Sequence, residues 1–267
     1  MREFHADLHI HSCLSPCASL NLSPKNIVER ARAEGLDILA ITDHNSAKNA
    51  GTIRRLGEKA GIQVLPGMEV QTREEIHLLT LFPDAPASLA WSQVVDRFLP
   101  GIKNEPEVFG DQPIVDEQGE ILGFEERLLL NSVDLPMVEV QNRVALLGGL
   151  TIPSHYDRGP FSLINQLGFM PEDFLPDALE VTHTGKGVGR ESWTLAPASI
   201  PRIICSDAHE VEDIGKGRTV FLLDSPTLQE IRYALHGEKG RKIVRMIFQR
   251  QDIYGPSPQP GINKKGI

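Results

Sequence analysis

The sequence predicts an α/β fold built on a parallel sheet or barrel, and two observations carry that expectation. Short apolar runs alternate with capped, amphipathic segments along most of the chain. Most of those apolar runs also end in a polar, ligand-type residue, as expected where strand C-terminal ends converge on one functional face.

Phe4–His11 is the first predicted strand. Ser23-Pro24 opens a helix, because Ser caps free N–H groups and Pro is tolerated in the first turn. Ile27, Val28 and Ala31 give that helix its apolar face, and Gly35 ends it. Leu36–Thr42 is short and apolar, a buried strand running into Asp43-His44-Asn45. A helix over about 47–59 closes at Gly61, and Ile62–Leu65 is a strand leading to Gly67-Met68-Glu69. Glu75–Phe82 is another strand, with His77, Leu79 and Leu81 on one face. Leu150–Pro153, Ala178–Thr182 and Arg202–Cys205 are strands that precede His155, His183 and Asp207, and Thr219–Leu223 follows them. Thr227-Leu228-Gln229-Glu230 has the form of a capping box, opening a helix to about His236.

Two stretches break this rhythm within a predicted barrel domain of residues 1–250. About 83–136 is an acidic, Pro- and Gly-punctuated insertion containing a small hairpin over Gln112–Gly123, and Gly159–Asp177 is loop-rich. Residues 251–267, proline-containing and polar, read as a disordered tail.

Bulk properties bound the function. With 267 residues, 40% of them hydrophobic, the chain can bury a sizeable core. No apolar run is long enough for a transmembrane helix, and Met1-Arg2-Glu3-Phe4-His5 lacks a signal peptide's apolar stretch, so a cytoplasmic address is expected. Cys13, Cys17 and Cys205 are too few and too scattered for a disulfide framework. A net charge of -9 argues against wrapping a long nucleic-acid backbone. It is compatible with a small phosphorylated substrate, where bound cations neutralise part of that charge.

His9 and His11 stand two apart on a strand, share a face and can grip one cation together; Asp207 and His209 repeat the spacing. His44, Glu69, His77 and His155 occupy other strand ends. Imidazoles and carboxylates suit zinc, manganese or iron, and a carboxylate can bridge two ions. One histidine at a strand end is more often an ordinary core or surface residue, and Asp43 before His44 could equally cap the next helix. The joint pattern is what points to a metal site.

At these residues the chain resembles the PHP family, the polymerase-and-histidinol-phosphatase superfamily of metal-dependent phosphoesterases. Asp7–Ser12, Thr42–Asn45, Pro153–His155 and Ser206–His209 carry the resemblance, which spans about residues 4–235 apart from the insertion. It implies a distorted seven-stranded, TIM-like (β/α) barrel with two or three divalent ions (Zn, Mn or Fe) at the strand C-termini. It further implies His9, His11, Glu69 and Asp207 as ligands of the first ion and His44 and His209 of the second. His77 and His155 would hold the third, bridged to the first by Glu69. The chemistry implied is hydrolysis of a nucleotide or related phosphomonoester by a metal-activated hydroxide, with short oligonucleotide ends within the family's range.

Asp207 and Glu69 are then the catalytic carboxylates, and a cation should complete a phosphate clamp. Arg158 is the first choice because a guanidinium matches phosphate bidentately. Lys48 and Lys216 are weaker candidates, more often plain surface charges, and His183 is a candidate for lining the pocket. Two other classes compete. A barrel amidohydrolase also begins with His-x-His but calls for a bridging lysine at a strand end, and no clear candidate exists. A non-catalytic metal-binding PHP module is the other, and the near-complete ligand set speaks against it.

The chain departs from the family pattern at Cys17, where many members have a histidine or aspartate. Cys17 is either a thiolate ligand of the second ion or a small apolar residue. If it is a ligand, Cys17→Ala should lower the metal stoichiometry measured by elemental analysis, and Cys17→His should restore much of it. Full metal content in the alanine variant would leave the second ion to His44 and His209.

Overall fold

The computed structural model describes residues 1–157, 159–181 and 196–248, together with the backbone of 251–254. In chain order the elements are β1 (Arg2–Ile10), α1 (Pro24–Ala33), β2 (Ile38–Ile41), α2 (Ala50–Ala60), β3 (Gln63–Gln71) and β4 (His77–Leu81). Then come α3 (Ala85–Phe98), α4 (Pro106–Phe109), β5 (Pro113–Val115), β6 (Ile121–Phe124), α5 (Met137–Leu146) and β7 (Leu150–Pro153). The chain continues through α6 (Leu163–Leu167), β8 (Leu179–Glu180), β9 (Arg202–Ile203), β10 (Gly217–Leu223), α7 (Leu228–His236), β11 (Lys242–Phe248) and β12 (Gln251–Tyr254).

The local signals act as the sequence suggests. Ser23 accepts the Asn26 amide to start α1, Gly61 ends α2 at φ 75, and Thr227 accepts the Glu230 amide at α7. The Glu230 carboxylate does not close a capping box, because it takes the Asp224 amide and the Arg241 guanidinium instead. Within 83–136 the expected hairpin is β5–β6. The same stretch holds α3, unforeseen in the sequence, which is capped by Asp84 and packs Trp91 and Val95 against Met68, Val70 and Leu78. The tail expected to be disordered from 251 begins with β12, paired antiparallel to β11. The rest of it lies outside the described residues.

Eight strands form one curled sheet in the order β12-β11-β10-β1-β2-β3-β4-β7. The sheet is mixed, not parallel throughout as expected. β1, β2 and β3 are parallel, while β4 is antiparallel to both β3 and β7, and β10 is antiparallel to β1. For β4 the reason is chain length: the turn between Gln71 and His77 is far too short for the crossover that parallel neighbours require. In the remaining gap, β8 and β9 form a parallel pair. The Asp177 amide donates to the Thr151 carbonyl at 3.0 Å, and the His11 amide donates to the Ala208 carbonyl at 3.1 Å. These bonds tie the pair to β7 on one side and to β1 on the other.

Side chains alternate across the sheet with the strand period of two. Leu79 and Leu81 of β4 join Ala6, Leu8, Leu65 and Ile152 in one core, on the face expected for His77. Leu39, Ile41 and Val64 meet Ile27, Ala31 and Ile53 of α1 and α2 on the other face. Leu8 and Ile10 fall in different clusters, and the β1–β2 register shifts between Asp7 and Ile10. That irregularity marks the end of β1 that carries His9 and His11. Among the described residues no helix is long and apolar enough to cross a membrane.

Gly217 begins β10 directly behind the Cys205-Ser206-Asp207 turn, and a Cβ there would lie 2.0 Å from the Cys205 carbonyl oxygen. Backbone cannot yield as a flexible side chain can. Gly217→Ala should therefore destabilise the fold by about 1–3 kcal/mol, read as a lower thermal midpoint. An unchanged midpoint would show that the turn tolerates displacement.

Candidate metal centre

Glu69 lies near the C-terminal end of β3 and is 1% exposed. Around its two oxygens stand His44 Nδ1 at 3.2 Å, His77 Nδ1 at 3.3 Å, His9 Nε2 at 3.4 Å, His11 Nε2 at 3.5 Å and His155 Nε2 at 3.8 Å. Asp207 Oδ1 approaches the same cluster, 3.2 Å from His9 Nε2 and 3.5 Å from His11 Nε2. His209 packs its ring on His11, with centroids 4.3 Å apart. The structure thus brings together eight predicted ligands: His9, His11, His44, Glu69, His77, His155, Asp207 and His209. Backbone pairing sets the alignment, through parallel bridges between His44 and Glu69 and between Ile10 and Ala208. His77 arrives from the start of antiparallel β4, opposite Gln71, and not from a strand's C-terminal end.

Most of these imidazoles have one ring nitrogen pinned from behind. His9 Nδ1 meets Glu180 Oε2 at 2.9 Å, His11 Nδ1 meets Ser15 Oγ at 3.0 Å, and His77 Nε2 meets Gln71 Oε1 at 3.2 Å. His209 Nδ1 donates to the Asp207 carbonyl at 2.9 Å. Ser15 gives its own proton to Asp43 (2.7 Å), so its oxygen must accept from His11. Each pinned ring therefore carries its proton on the outer nitrogen and turns a lone pair inward, the arrangement that metal-bound histidines use.

The carboxylates behind the cluster were only partly legible. Asp43, read as a possible helix cap, takes the Ser12 amide and hydroxyl at 2.7 Å each, besides Ser15. Asp7 accepts the Ser206 and Gly215 amides at 3.0 and 2.9 Å and so anchors the turn bearing Asp207. Burial raises the Asp7 pKa to about 6 despite those bonds. Glu180 went unrecognised; besides His9 it accepts the His155 amide at 3.0 Å. Its only sequence signal is a carboxylate inside the apolar run Ala178–Thr182. Asp207 and His155 hold left-handed backbones, φ 52 and φ 31, which cost free energy and persist because these bonds fix them.

Burial opposes charge on Glu69, yet His77, His9 and His44 hold its pKa well below the usual carboxylate range. Burial likewise opposes protonation of His9, but Glu180, Asp207 and Glu69 together raise its pKa well above normal. His44 is the reverse case: burial lowers it well below normal, and Glu69 offsets only part of that. Burial also lowers His155 and His209.

Among the described residues, three groups of side chains could each hold an ion: His9, His11 and Glu69; His11, His44 and His209; and His44, Glu69 and His77. Within each group the ligand atoms lie within 4.8 Å of one another. The donor set fits divalent cations on a direct observation: Glu69 Oε1, His44 Nδ1, His77 Nδ1 and His155 Nδ1 are buried without a hydrogen-bond partner. The centre opens into a cavity of about 360 Å³. Cys17 lines that cavity, where burial of its thiol, and next Glu69, push its pKa up to about 12; its residue is exposed at the mouth. Lys48 pairs with Glu125 and does not line the cavity, and Lys216 pairs with Asp213. Arg158 and His183 lie outside the described residues.

The model for the PHP domain matches residues 7–129, and that for the PHP-associated segment matches 198–239. Residues 7–129 are a PHP domain. An uncharacterized protein of Methanocaldococcus jannaschii is 32% identical over 34% of this chain and 59% of its own length. The phosphoribosyl 1,2-cyclic phosphate 1,2-diphosphodiesterase of Eggerthella lenta is 32% identical over 28% of this chain and 29% of its own. A 5'-3' exoribonuclease of Haemophilus influenzae is 35% identical over 28% of this chain and 27% of its own. This PHP chain thus spans less than two thirds of the length of each curated relative. The lesion-specific endonuclease Q of Pyrococcus furiosus superposes on 92% of this chain and 58% of its own, with a TM-score of 0.64 and 20% identity. That likeness speaks for the fold alone.

If Glu180 orients His9 and the His155 backbone, Glu180→Gln should weaken binding of manganese or zinc about 10–100-fold in a calorimetric titration. Unchanged affinity would reduce Glu180 to a filler of the strand interior.

Proposed function

We propose that this PHP chain is a metal-dependent phosphoesterase that hydrolyses a small phosphorylated substrate at a di- or trinuclear centre. The observation that carries the proposal is the convergence of lone-pair-bearing imidazoles on buried Glu69. We read β1–β4, β7, β8 and β9 as the seven strands of the family's distorted barrel, with the centre at its mouth. His9, His11, Glu69 and Asp207 would hold one ion, His44 and His209 another, and His77 and His155 a third. When bound, such ions supply Lewis acidity to phosphate oxygens and make a water molecule a stronger acid.

The chain's own residues position and orient. Glu180, Ser15 and Gln71 fix which nitrogen of each imidazole faces the reaction, and Asp7 and Asp43 hold the loops that bear the ligands. Preorganised ligands need not rearrange as charge grows in the transition state. Phosphate contact is assigned to Arg158 on its chemistry, and to Lys48 less readily, since its ammonium already faces Glu125. His183 remains a candidate for lining the pocket.

Nucleotides and short oligonucleotide ends are the proposed substrate class. The net charge of -9 supports it, as does the likeness to relatives named for a cyclic phosphate and for RNA ends. A second reading, attack within duplex DNA, is favoured by one observation. Endonuclease Q has been seen with a 27-mer duplex and an abasic lesion at its active site, and its fold matches 92% of this chain.

Turnover of phosphate esters should require a divalent ion and disappear with a chelator. Asp207→Ala should lower it at least ~100-fold while the protein stays folded. Rates should favour nucleotides and short ends, with a shallow dependence on salt, because few phosphates are contacted. Internal cutting of long duplex with a steep salt slope would select the second reading, and full activity without metal would overturn both.

A further inference from the structure

Phe161 stands at φ 64, a left-handed backbone that bulky L residues rarely adopt. It follows Gly159-Pro160, and its carbonyl accepts the His77 amide at 2.9 Å. Its ring lies flat on the His77 imidazole, with centroids 4.7 Å apart and planes 4° apart. The side chain is only half-buried and joins none of the hydrophobic cores. Glycine would accept this backbone without strain, so neither the turn nor the core explains an aromatic here.

The cavity does offer an explanation. Phe161, Pro160 and Leu130 line it together with Glu69, Asp207 and His209, so apolar surface and metal-type ligands share one space. One face of the Phe161 ring is occupied by His77, and among the described residues no other aromatic ring covers the second face. Pinned against His77, the ring is fixed relative to the ligand cluster. A planar group laid on it would stand beside that cluster at a set distance.

We propose that Phe161 is a specificity-determining residue whose second face stacks a planar ring of the substrate, a nucleobase or aryl group, while the phosphate turns toward Glu69 and Asp207. This rests on the phosphoesterase reading above and adds the class of organic group carried by the ester. Aromatic stacking tolerates any base, since every base has a π-face, and a sugar alone would find no hydrogen-bond partner in the side chains of Phe161, Pro160 or Leu130.

The test compares two probes that share a sugar phosphate, adenosine 5′-monophosphate and ribose 5-phosphate. Calorimetry and phosphate release are measured on metal-loaded wild type, Phe161→Gly and Phe161→Trp. Glycine suits the φ 64 backbone and keeps its carbonyl contact to His77, so the thermal midpoint should hold. Wild type should bind the nucleotide at least ~5-fold more tightly than the sugar phosphate, as expected for one base–aromatic stack. That preference should vanish in Phe161→Gly and return in Phe161→Trp. A wild type with no preference, or a preference that persists in Phe161→Gly, would overturn the proposal. Stacking-dependent binding of the nucleotide with no phosphate released from either probe would sustain the role of Phe161 and count against the hydrolytic reading alone.

Discussion

Within 3.8 Å of the buried Glu69 carboxylate lie ring nitrogens of His9, His11, His44, His77 and His155. A neutral imidazole has one proton to give, and at His9, His11 and His77 that proton is engaged on the far side by Glu180, Ser15 and Gln71. The nitrogens that face Glu69 are therefore lone pairs facing a carboxylate, and His9 Nε2 also faces His11 Nε2 at 3.2 Å. Such an arrangement is repulsive unless protons or cations lie between. The pKa directions reflect the same crowding: the carboxylates of Glu180, Asp207 and Glu69 favour positive charge beside His9, while burial disfavours it on His44.

Much of the fold exists to hold that crowding in place. β3 carries Glu69 between β2, which ends near His44, and β4, which begins with His77. Asp43 secures the loop after β1, and Asp7 secures the turn after β9 through Ser206. Glu180 reaches across the gap in the sheet to His9, joining residues 171 apart in the chain. The left-handed backbones at His155 and Asp207 store strain where these bonds overdetermine the geometry.

The candidate cluster was legible because chemistry constrains it tightly. His9 and His11 had to share a face, and the apolar runs before His44, His155 and Asp207 announced buried strands with polar ends. The direction of β4 was harder to see, since alternation of apolar residues is the same for parallel and antiparallel strands; the short turn from Gln71 to His77 was the available signal. α3 was hidden because prolines and acids dominate its surroundings, although Asp84 and Pro86 are ordinary helix-start residues. Glu180 and Ser15 could not be singled out, because each acts by holding another side chain from far along the chain. Phe161 has no sequence signature at all: its backbone strain and its stacking on His77 exist only in the folded loop.

The central claim is that Glu69 and its histidines are arranged around cations and not around protons. Anomalous scattering from crystals grown with zinc and measured across the zinc absorption edge addresses it directly. The account predicts peaks between Glu69, His9 and His11 and beside His44, with Glu69 oxygens within coordination distance. Crystals with zinc in the medium but no anomalous peak within reach of Glu69 would contradict it.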